Sequence, residues 1–205
     1  MSFEVPKSGK TERPPAGNHL AVLVALIEMG EQWQDPFKPT DKGYWWPRDF
    51  YLWELIGEQI AGTGKNHLIG IDLNRSTGAN SKLRAFVEAR TGKPMGDDFN
   101  PKSELGQPCF LSVVVNKKGY PVVNGMAAVP KGFTLPAPTY PVTALTLEEF
   151  QAGESLPEWV PWLYGNPLGD HIRGCKQIGG PKPQPRKAAE PTAAATGTSN
   201  DPIPF

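Results

Sequence analysis

The sequence predicts a mainly β fold: a five-stranded barrel with one helix between its third and fourth strands, followed by a disordered C-terminal tail. Three observations favour this fold. Short β-favouring runs alternate with turn residues, and a single segment has helical periodicity. The 23 prolines and 22 glycines concentrate in the ends and the connections of the chain. Its 205 residues suffice for one domain of ordinary size with appendages.

The elements of the barrel follow one another along residues 18–130. Dense or alternating apolar runs predict five strands, over residues 20–27, 51–56, 67–73, 110–115 and 120–129. Between the third and fourth strands, Leu83, Phe86 and Val87 recur at helical spacing, and Thr91-Gly92 provides a helix stop. Three strands, one helix and two strands is the connectivity of the OB-fold, a five-stranded Greek-key barrel. A generic small α+β domain is the alternative.

The segments that flank the barrel differ from it in composition. Residues 1–17 are polar and proline-rich, and predict a flexible arm. In residues 131–175 prolines interrupt an apolar stretch, so we expect an irregular extension that packs its tryptophans onto the barrel. Residues 176–205 contain no aromatic side chain before Phe205 and cannot offset an ordering cost of roughly 1–2 kcal/mol per residue. They predict a disordered tether.

Charge and residue types restrict the function classes. The formal net charge is zero, and within residues 18–130 twelve bases balance twelve acids, so a nucleic-acid site would require local segregation of positive charge. Two cysteines, Cys109 and Cys175, make no disulfide framework, and no signal peptide or membrane span is visible. A reducing cytoplasm fits best. Three scattered histidines and the absence of a P-loop predict no enzyme, no cofactor and no metal site.

Aromatic residues cluster around the connection between the first two predicted strands. Eight of them lie within residues 33–53, where Lys38, Lys42 and Arg48 are interleaved with them. Binding of a single strand requires aromatic faces for unstacked bases, each worth about 1–3 kcal/mol, and positive charge for phosphates. In an OB-fold this region lines the binding cleft. The predicted DNA-binding aromatic residues are Trp33, Tyr44, Trp45, Trp46, Tyr51 and Trp53.

The same residue types have structural alternatives. Side chains alternate along a strand, and we expect a strand to bury only one face. One of two opposite sets must therefore be core, either Tyr51, Trp53 and Leu55 or Leu52, Glu54 and Ile56. The sequence leaves open which set that is. The predicted phosphate-binding residues are Lys38, Arg48, Lys65, Arg75, Lys82, Arg84, Lys117 and Lys118. For each of them a solvated surface position is the alternative.

The chain closes with Asp201-Pro202-Ile203-Pro204-Phe205. Two prolines stiffen this segment and so reduce the entropy that binding would cost. The Phe205 ring and Ile203 can enter an apolar pocket while a basic residue of a partner protein binds the free carboxylate. These five residues are the predicted partner-binding tip.

The tip resembles the acidic tip of bacterial single-stranded DNA-binding proteins, which typically ends Asp-Asp-Asp-Ile-Pro-Phe. The barrel is similar to a group of bacteriophage single-stranded DNA-binding proteins, through residues 81–86 before a Thr-Gly-Lys turn and residues 105–109 before a strand. The resemblance implies sequence-independent binding that protects single strands during phage replication, recombination or repair in an infected bacterium. It also implies that the tip recruits the enzymes of those processes.

One departure from the bacterial pattern is the single acid, Asp201, in a tail that is net basic from Lys176 onward. We therefore expect weaker and less salt-sensitive binding to a basic pocket. Two other functions stay open. The chain could be an interaction factor that mimics the host tip, or a single-strand annealing protein that forms rings. Homo-oligomerisation is not decided by the sequence.

Overall fold

The computed structural model describes residues 12–36, 38, 42–130, 132–133, 135–160, 162–163 and 166–179. Their strands are β1 (Gly17–Gln34), β2 (Tyr44–Gln59), β3 (Asn66–Asn74), β4 (Pro108–Val115), β5 (Pro121–Ala127), β6 (Thr143–Leu145), β7 (Trp162–Leu163) and β8 (Asn166–Pro167). The α-helices are α1 (Lys82–Thr91), α2 (Leu147–Gln151) and α3 (Leu168–Arg173), and two 3-10 helices span Pro101–Glu104 and Lys176–Ile178. The predicted mainly β class is confirmed. The predictions for residues 1–11 and 180–205, including the tip Asp201–Phe205, lie outside the described residues.

The main sheet has the strand order β3-β2-β1-β4-β5, with antiparallel neighbours, and β6 adds in parallel to β1. Strand β1 can pair with several partners because it is 18 residues long and changes register against β2 at two irregularities. At the second of these Gly30 has a φ of 71°, a conformation that favours glycine. Strands β3 and β5 approach within 8 Å between Cα atoms. No hydrogen-bonded pairing joins these two described strands, so the sheet is curled but open.

Helix α1 closes part of the gap between β3 and β5, as it contacts both strands. Its first residue follows Ser81, whose Oγ accepts a hydrogen bond from the Arg84 amide at 3.4 Å. It ends at Thr91, and the next residue, Gly92, caps it in the left-handed conformation with φ 66°. The face predicted from the periodicity, with Phe86 at its centre, is buried against the sheet.

The sheet buries both of its faces. On the concave face Tyr51, Trp53 and Leu55 pack with the apolar face of α1. On the other face Phe50 and Leu52 pack with residues of the extension that follows β5, among them Tyr140, Leu145, Leu147, Leu163, Leu168 and Ile172. The expectation that only one face of β2 is core was wrong, because this extension covers the second face. Trp159 of the extension packs against Tyr140, with ring centroids 5.2 Å apart.

A buried carboxylate fixes the start of the extension to β2. Glu54 is fully buried, and its Oε1 accepts hydrogen bonds from Asn66 Nδ2 at 2.6 Å, from Thr139 N at 2.8 Å and from Thr139 Oγ1 at 2.9 Å. Its Oε2 accepts from Tyr140 N at 3.1 Å. A buried charge needs such partners, since an unpaired one is costly. Glu54 therefore fixes the start of the extension to β2 and β3.

No helix in the described part of the chain has the length and apolar character needed to cross a membrane.

The backbone of β3 passes close beneath a ring of β2, which makes Gly70 sensitive to substitution. A Cβ at this position would lie 2.2 Å from Phe50 Cζ. Gly70→Ala is therefore expected to lower the free energy of unfolding by about 1–3 kcal/mol, the usual cost of overpacking. Gly125→Ala in β5 is the matched control, because a Cβ there meets only Ser112 Cβ, at 3.8 Å. Urea unfolding should show a lower midpoint for the first variant alone, and equal midpoints would contradict this packing.

Candidate nucleic-acid interface

An open groove of about 650 Å³ lies where the first residues of β2 face the segment between β3 and α1. Tyr44, Trp46 and Arg48 form one wall, and most residues from Asn74 to Lys82 form the other. The groove exists because β1 and β2 continue as a paired hairpin beyond the last residue of β3 that pairs with β2. Both strands are longer than predicted, so Trp33, Tyr44, Trp45 and Trp46 lie in regular pairing and not in a loop.

Tyr44 and Trp46 present the largest aromatic surface in the groove. Their side chains are 51% and 37% exposed, and their rings meet edge to face with centroids 6.0 Å apart. They lie on the same side of β2 because residues two apart in a strand point the same way. Each ring therefore keeps area available for a stacked base, which is what single-strand binding needs.

Trp33 and Trp45 are a cross-strand pair that supports the hairpin. They are direct partners in the register, with ring centroids 5.6 Å apart at 72°. Trp33 Nε1 donates to Asp35 Oδ1 at 3.1 Å, and its ring packs over Gly43, where a Cβ would be 2.2 Å away. Trp45 alternates with Tyr44 and Trp46 along β2 and does not line the groove. Both rings are half-buried, so their first role is to hold the hairpin together.

Tyr51 and Trp53 require a correction. They are only 2% and 3% exposed, and they stack on each other in the concave core with centroids 5.9 Å apart. Because α1 packs over that face, neither ring has a surface on which a base could stack. The Tyr51 hydroxyl has no hydrogen-bond partner among the described residues, and burial raises its pKa.

The groove carries a small positive charge. Arg48 forms an ion pair with Asp72, Nη2 to Oδ2 at 2.6 Å, and its buried Nε has no hydrogen-bond partner among the described residues. Lys82 Nζ donates to Val123 O at 3.2 Å and lies 5.2 Å from the Phe86 ring centroid. Partial burial lowers the pKa of Lys82, and Asp72 opposes that shift. Two bases and one acid among the described lining residues leave one net positive charge.

Two of the predicted phosphate ligands have structural roles, which is a second correction. Arg75 binds both carboxylate oxygens of Asp49 and one of Glu28. Arg84 donates to Glu88 Oε1 at 2.9 Å and to two backbone carbonyls beside α1. Both guanidinium groups are engaged within the fold, and neither residue is among the described residues that line the groove.

The remaining predicted bases are exposed and are not among the described residues that line the groove. Lys38 is exposed beyond the end of β1, and Lys65 lies 5.5 Å over the Tyr140 ring on the extension. Lys117 and Lys118 form the exposed turn between β4 and β5. The structure therefore does not bring these four lysines together with Tyr44 and Trp46.

A second patch of aromatic and basic side chains lies at the β4–β5 turn and was missed from the sequence. Tyr120 is 52% exposed, and the guanidinium carbon of Arg13 lies 4.6 Å from its ring centroid. Arg13 also donates to Gly119 O at 2.6 Å, which holds the N-terminal segment against the turn. The adjacent Lys117 and Lys118 could have pointed to Tyr120 as a candidate residue. The contact with Arg13 joins residues 106 positions apart in the chain, so the sequence could not predict it.

Within the described ranges no group of three or more His, Cys, Asp or Glu side chains is arranged to hold a metal ion. A comparison with models of known protein families finds none that matches this chain. A comparison with curated proteins likewise finds no match to its sequence.

Proposed function

We propose that this chain binds single-stranded DNA without sequence preference, through the groove between β2 and the β3–α1 segment. The observation that carries the proposal is the exposed pair Tyr44 and Trp46 beside Arg48 and Lys82. Aromatic faces stack any base, and a nearby positive charge tracks the backbone, so the combination suits a strand whatever its sequence. No turnover and no cofactor belong to this function.

The architecture supports the proposal in a second way. An OB-fold is a partly open five-stranded barrel that binds oligonucleotides on the face of its second and third strands and with its 1–2 and 4–5 connections. The strand order here, with β3 near β5 and α1 between them, fits that topology. The groove at β2 and the patch around Tyr120 fall at the corresponding places.

The biological setting follows from the resemblance of the sequence. We propose that the chain protects single strands in phage replication, recombination or repair, and that the tip Asp201–Phe205 recruits enzymes of those processes. Binding of these enzymes should be lost in a Phe205→Ala variant that still binds DNA, because the ring is the largest apolar group of the tip.

The direct test is a titration of the full chain with fluorescein-labelled oligo-dT, oligo-dA and a duplex of the same length at low salt. The proposal predicts similar affinities for the two single strands and much weaker binding to the duplex, in which stacked bases are not available to Tyr44 and Trp46. Absence of oligo-dT binding, or preference for the duplex, would overturn it.

Binding should depend only moderately on salt. For a single strand, each phosphate contact contributes about −0.7 to the slope of log K against log salt. The groove bases Arg48 and Lys82 alone would give about −1.4, and adding Arg13, Lys117 and Lys118 would give about −3.5. We expect a slope between these limits in an anisotropy titration against NaCl.

Substitution of the two lysines in the β4–β5 turn tests whether this turn contributes to the salt dependence. Replacing both Lys117 and Lys118 by glutamine should flatten the slope by about 1.4 if each contacts one phosphate. Lys93→Gln, an exposed lysine just after α1, is the control and should leave it unchanged. An unchanged slope in the double variant would remove the β4–β5 turn from the interface.

A further inference from the structure

The groove that contains Tyr44 and Trp46 has one acid among its described lining residues, Asp72 on β3. The Asp72 side chain is 4% exposed, and its Oδ2 lies 2.6 Å from Arg48 Nη2. The same nitrogen donates a hydrogen bond to the Asp72 backbone carbonyl at 3.1 Å. Because Arg48 lies on β2, the pair bridges two neighbouring strands at the groove.

This ion pair stabilises the fold. The Arg48 side chain is only 20% exposed, and a guanidinium in such a position is costly unless a charged partner compensates it. Asp72 supplies that partner. An acid in a groove that we propose for DNA therefore has a structural reason, which is to hold Arg48 in place.

The same carboxylate opposes the entry of a phosphate. A phosphate that approaches Arg48 competes with Asp72 for the guanidinium and is repelled by the charge of the carboxylate. The influence of Asp72 extends to Lys82, since partial burial lowers the pKa of Lys82 and Asp72 acts against that shift. The two bases among the described lining residues are therefore both partly neutralised by one acid.

Arg48 keeps donors beyond its pair with Asp72. Its Nη1 reaches Gln34 Oε1 at a distance of 3.4 Å, and its Nε has no hydrogen-bond partner among the described residues. A guanidinium has five N–H donors in a fixed plane, so a small shift of the side chain can present some of them to a phosphate. Asp72 therefore restrains this shift without using all the donors of Arg48.

We propose that Asp72 limits the affinity of the groove for single-stranded DNA by pairing with Arg48. This inference rests on the proposed function and names a residue that works against it. The consequence is a faster release of the strand, because the carboxylate takes back the guanidinium when a phosphate leaves. A protein that coats a strand only temporarily is served by such release, since other proteins can then displace it.

The first measurement compares Asp72→Asn with Asp170→Asn in the full chain. Asp72→Asn keeps an acceptor oxygen for Arg48 and removes the charge. It should tighten oligo-dT binding about three- to tenfold, the effect of one unit charge several Å from a phosphate. Asp170→Asn breaks the pair with Arg173 on α3, outside the described lining of the groove, and changes the net charge equally. It should leave the affinity unchanged.

The dissociation rate gives a second readout for the same variants. The labelled strand is displaced by excess unlabelled oligo-dT in a stopped-flow experiment, and Asp72→Asn should slow its release by about the same factor. A role of Asp72 in the shape of the groove alone predicts weaker binding and faster release. Wild-type binding with unchanged or weaker binding by folded Asp72→Asn would overturn this inference and leave the proposed function standing. Absence of binding by both chains would overturn both.

A second variant leaves Asp72 in place and serves even if Asp72→Asn does not fold. Gln34→Glu puts another carboxylate beside Arg48 Nη1 without a change in side-chain size. It should weaken oligo-dT binding about three- to tenfold. Gln59→Glu, at the exposed end of β2, is the matched control and should bind like the wild type. Equal affinities of these two variants would contradict the claim that an acid on Arg48 limits binding.

Discussion

Replacing Trp46 by alanine is expected to weaken oligo-dT binding by about 5- to 150-fold, the equivalent of one stacked base at about 1–3 kcal/mol. The reason is its position, since its ring is exposed in the groove and stands edge to face with Tyr44. Tyr44→Ala should weaken binding as well. The affinity is measured by fluorescence anisotropy with the full chain and labelled oligo-dT at low salt.

The control for this variant is its neighbour in the sequence. Trp45→Ala removes the same side chain from the opposite side of β2, where it packs against Trp33. It should destabilise the hairpin more than it weakens binding, so urea unfolding is measured for both variants. If Trp45→Ala weakens binding as much as Trp46→Ala at equal stability, the groove is not the site.

The largest effect on stability is expected for Glu54→Ala. The substitution removes the acceptor of four hydrogen bonds and leaves the amides of Thr139 and Tyr140 without their partner. Hydrogen bonds to a charged group contribute about 1.5–3 kcal/mol each, and such sets are not additive. We therefore expect a loss of at least about 3 kcal/mol in the free energy of unfolding, measured by urea denaturation.

Glu58→Ala is the matched control, on the same strand. Glu58 is 41% exposed in its side chain, and its Oε1 lies 3.0 Å from His19 Nδ1, so its removal should cost less than about 1 kcal/mol. Glu54→Gln should lie between the two, because an amide keeps one acceptor oxygen. Equal midpoints for Glu54→Ala and Glu58→Ala would show that the extension does not depend on this carboxylate.

The parts of the fold with local periodicity were predictable. Leu83, Phe86 and Val87 predicted helix α1, and the alternation of apolar runs and turns predicted the order of the first five strands and α1 along the chain. The full lengths of β1 and β2 could not be predicted, because residues 28–34 and 44–50 mix charged and aromatic side chains without a clear period. The second core was hidden too, since prolines interrupt the segment that supplies it.

For the candidate site, composition located the region but not the orientation of its side chains. Alternation along β2 separates Tyr44 and Trp46 from Trp45, and this could be applied only once the strand was known to begin at Tyr44. The burial of Tyr51 and the pairing of Arg75 with Asp49 depend on elements that meet only in the folded chain. Long-range packing therefore decided which aromatic and basic residues stay exposed.

Photocrosslinking of an oligo-dT that carries 5-iododeoxyuridine, followed by mass spectrometry of the peptides, tests the central claim most directly. We expect crosslinks to Tyr44 or Trp46, which are the exposed rings of the groove, and a weaker set at Tyr120. Trp46→Ala should remove the first set while the chain stays folded. Crosslinks confined to Trp45 or to the extension would contradict the assignment of the groove as the DNA-binding site.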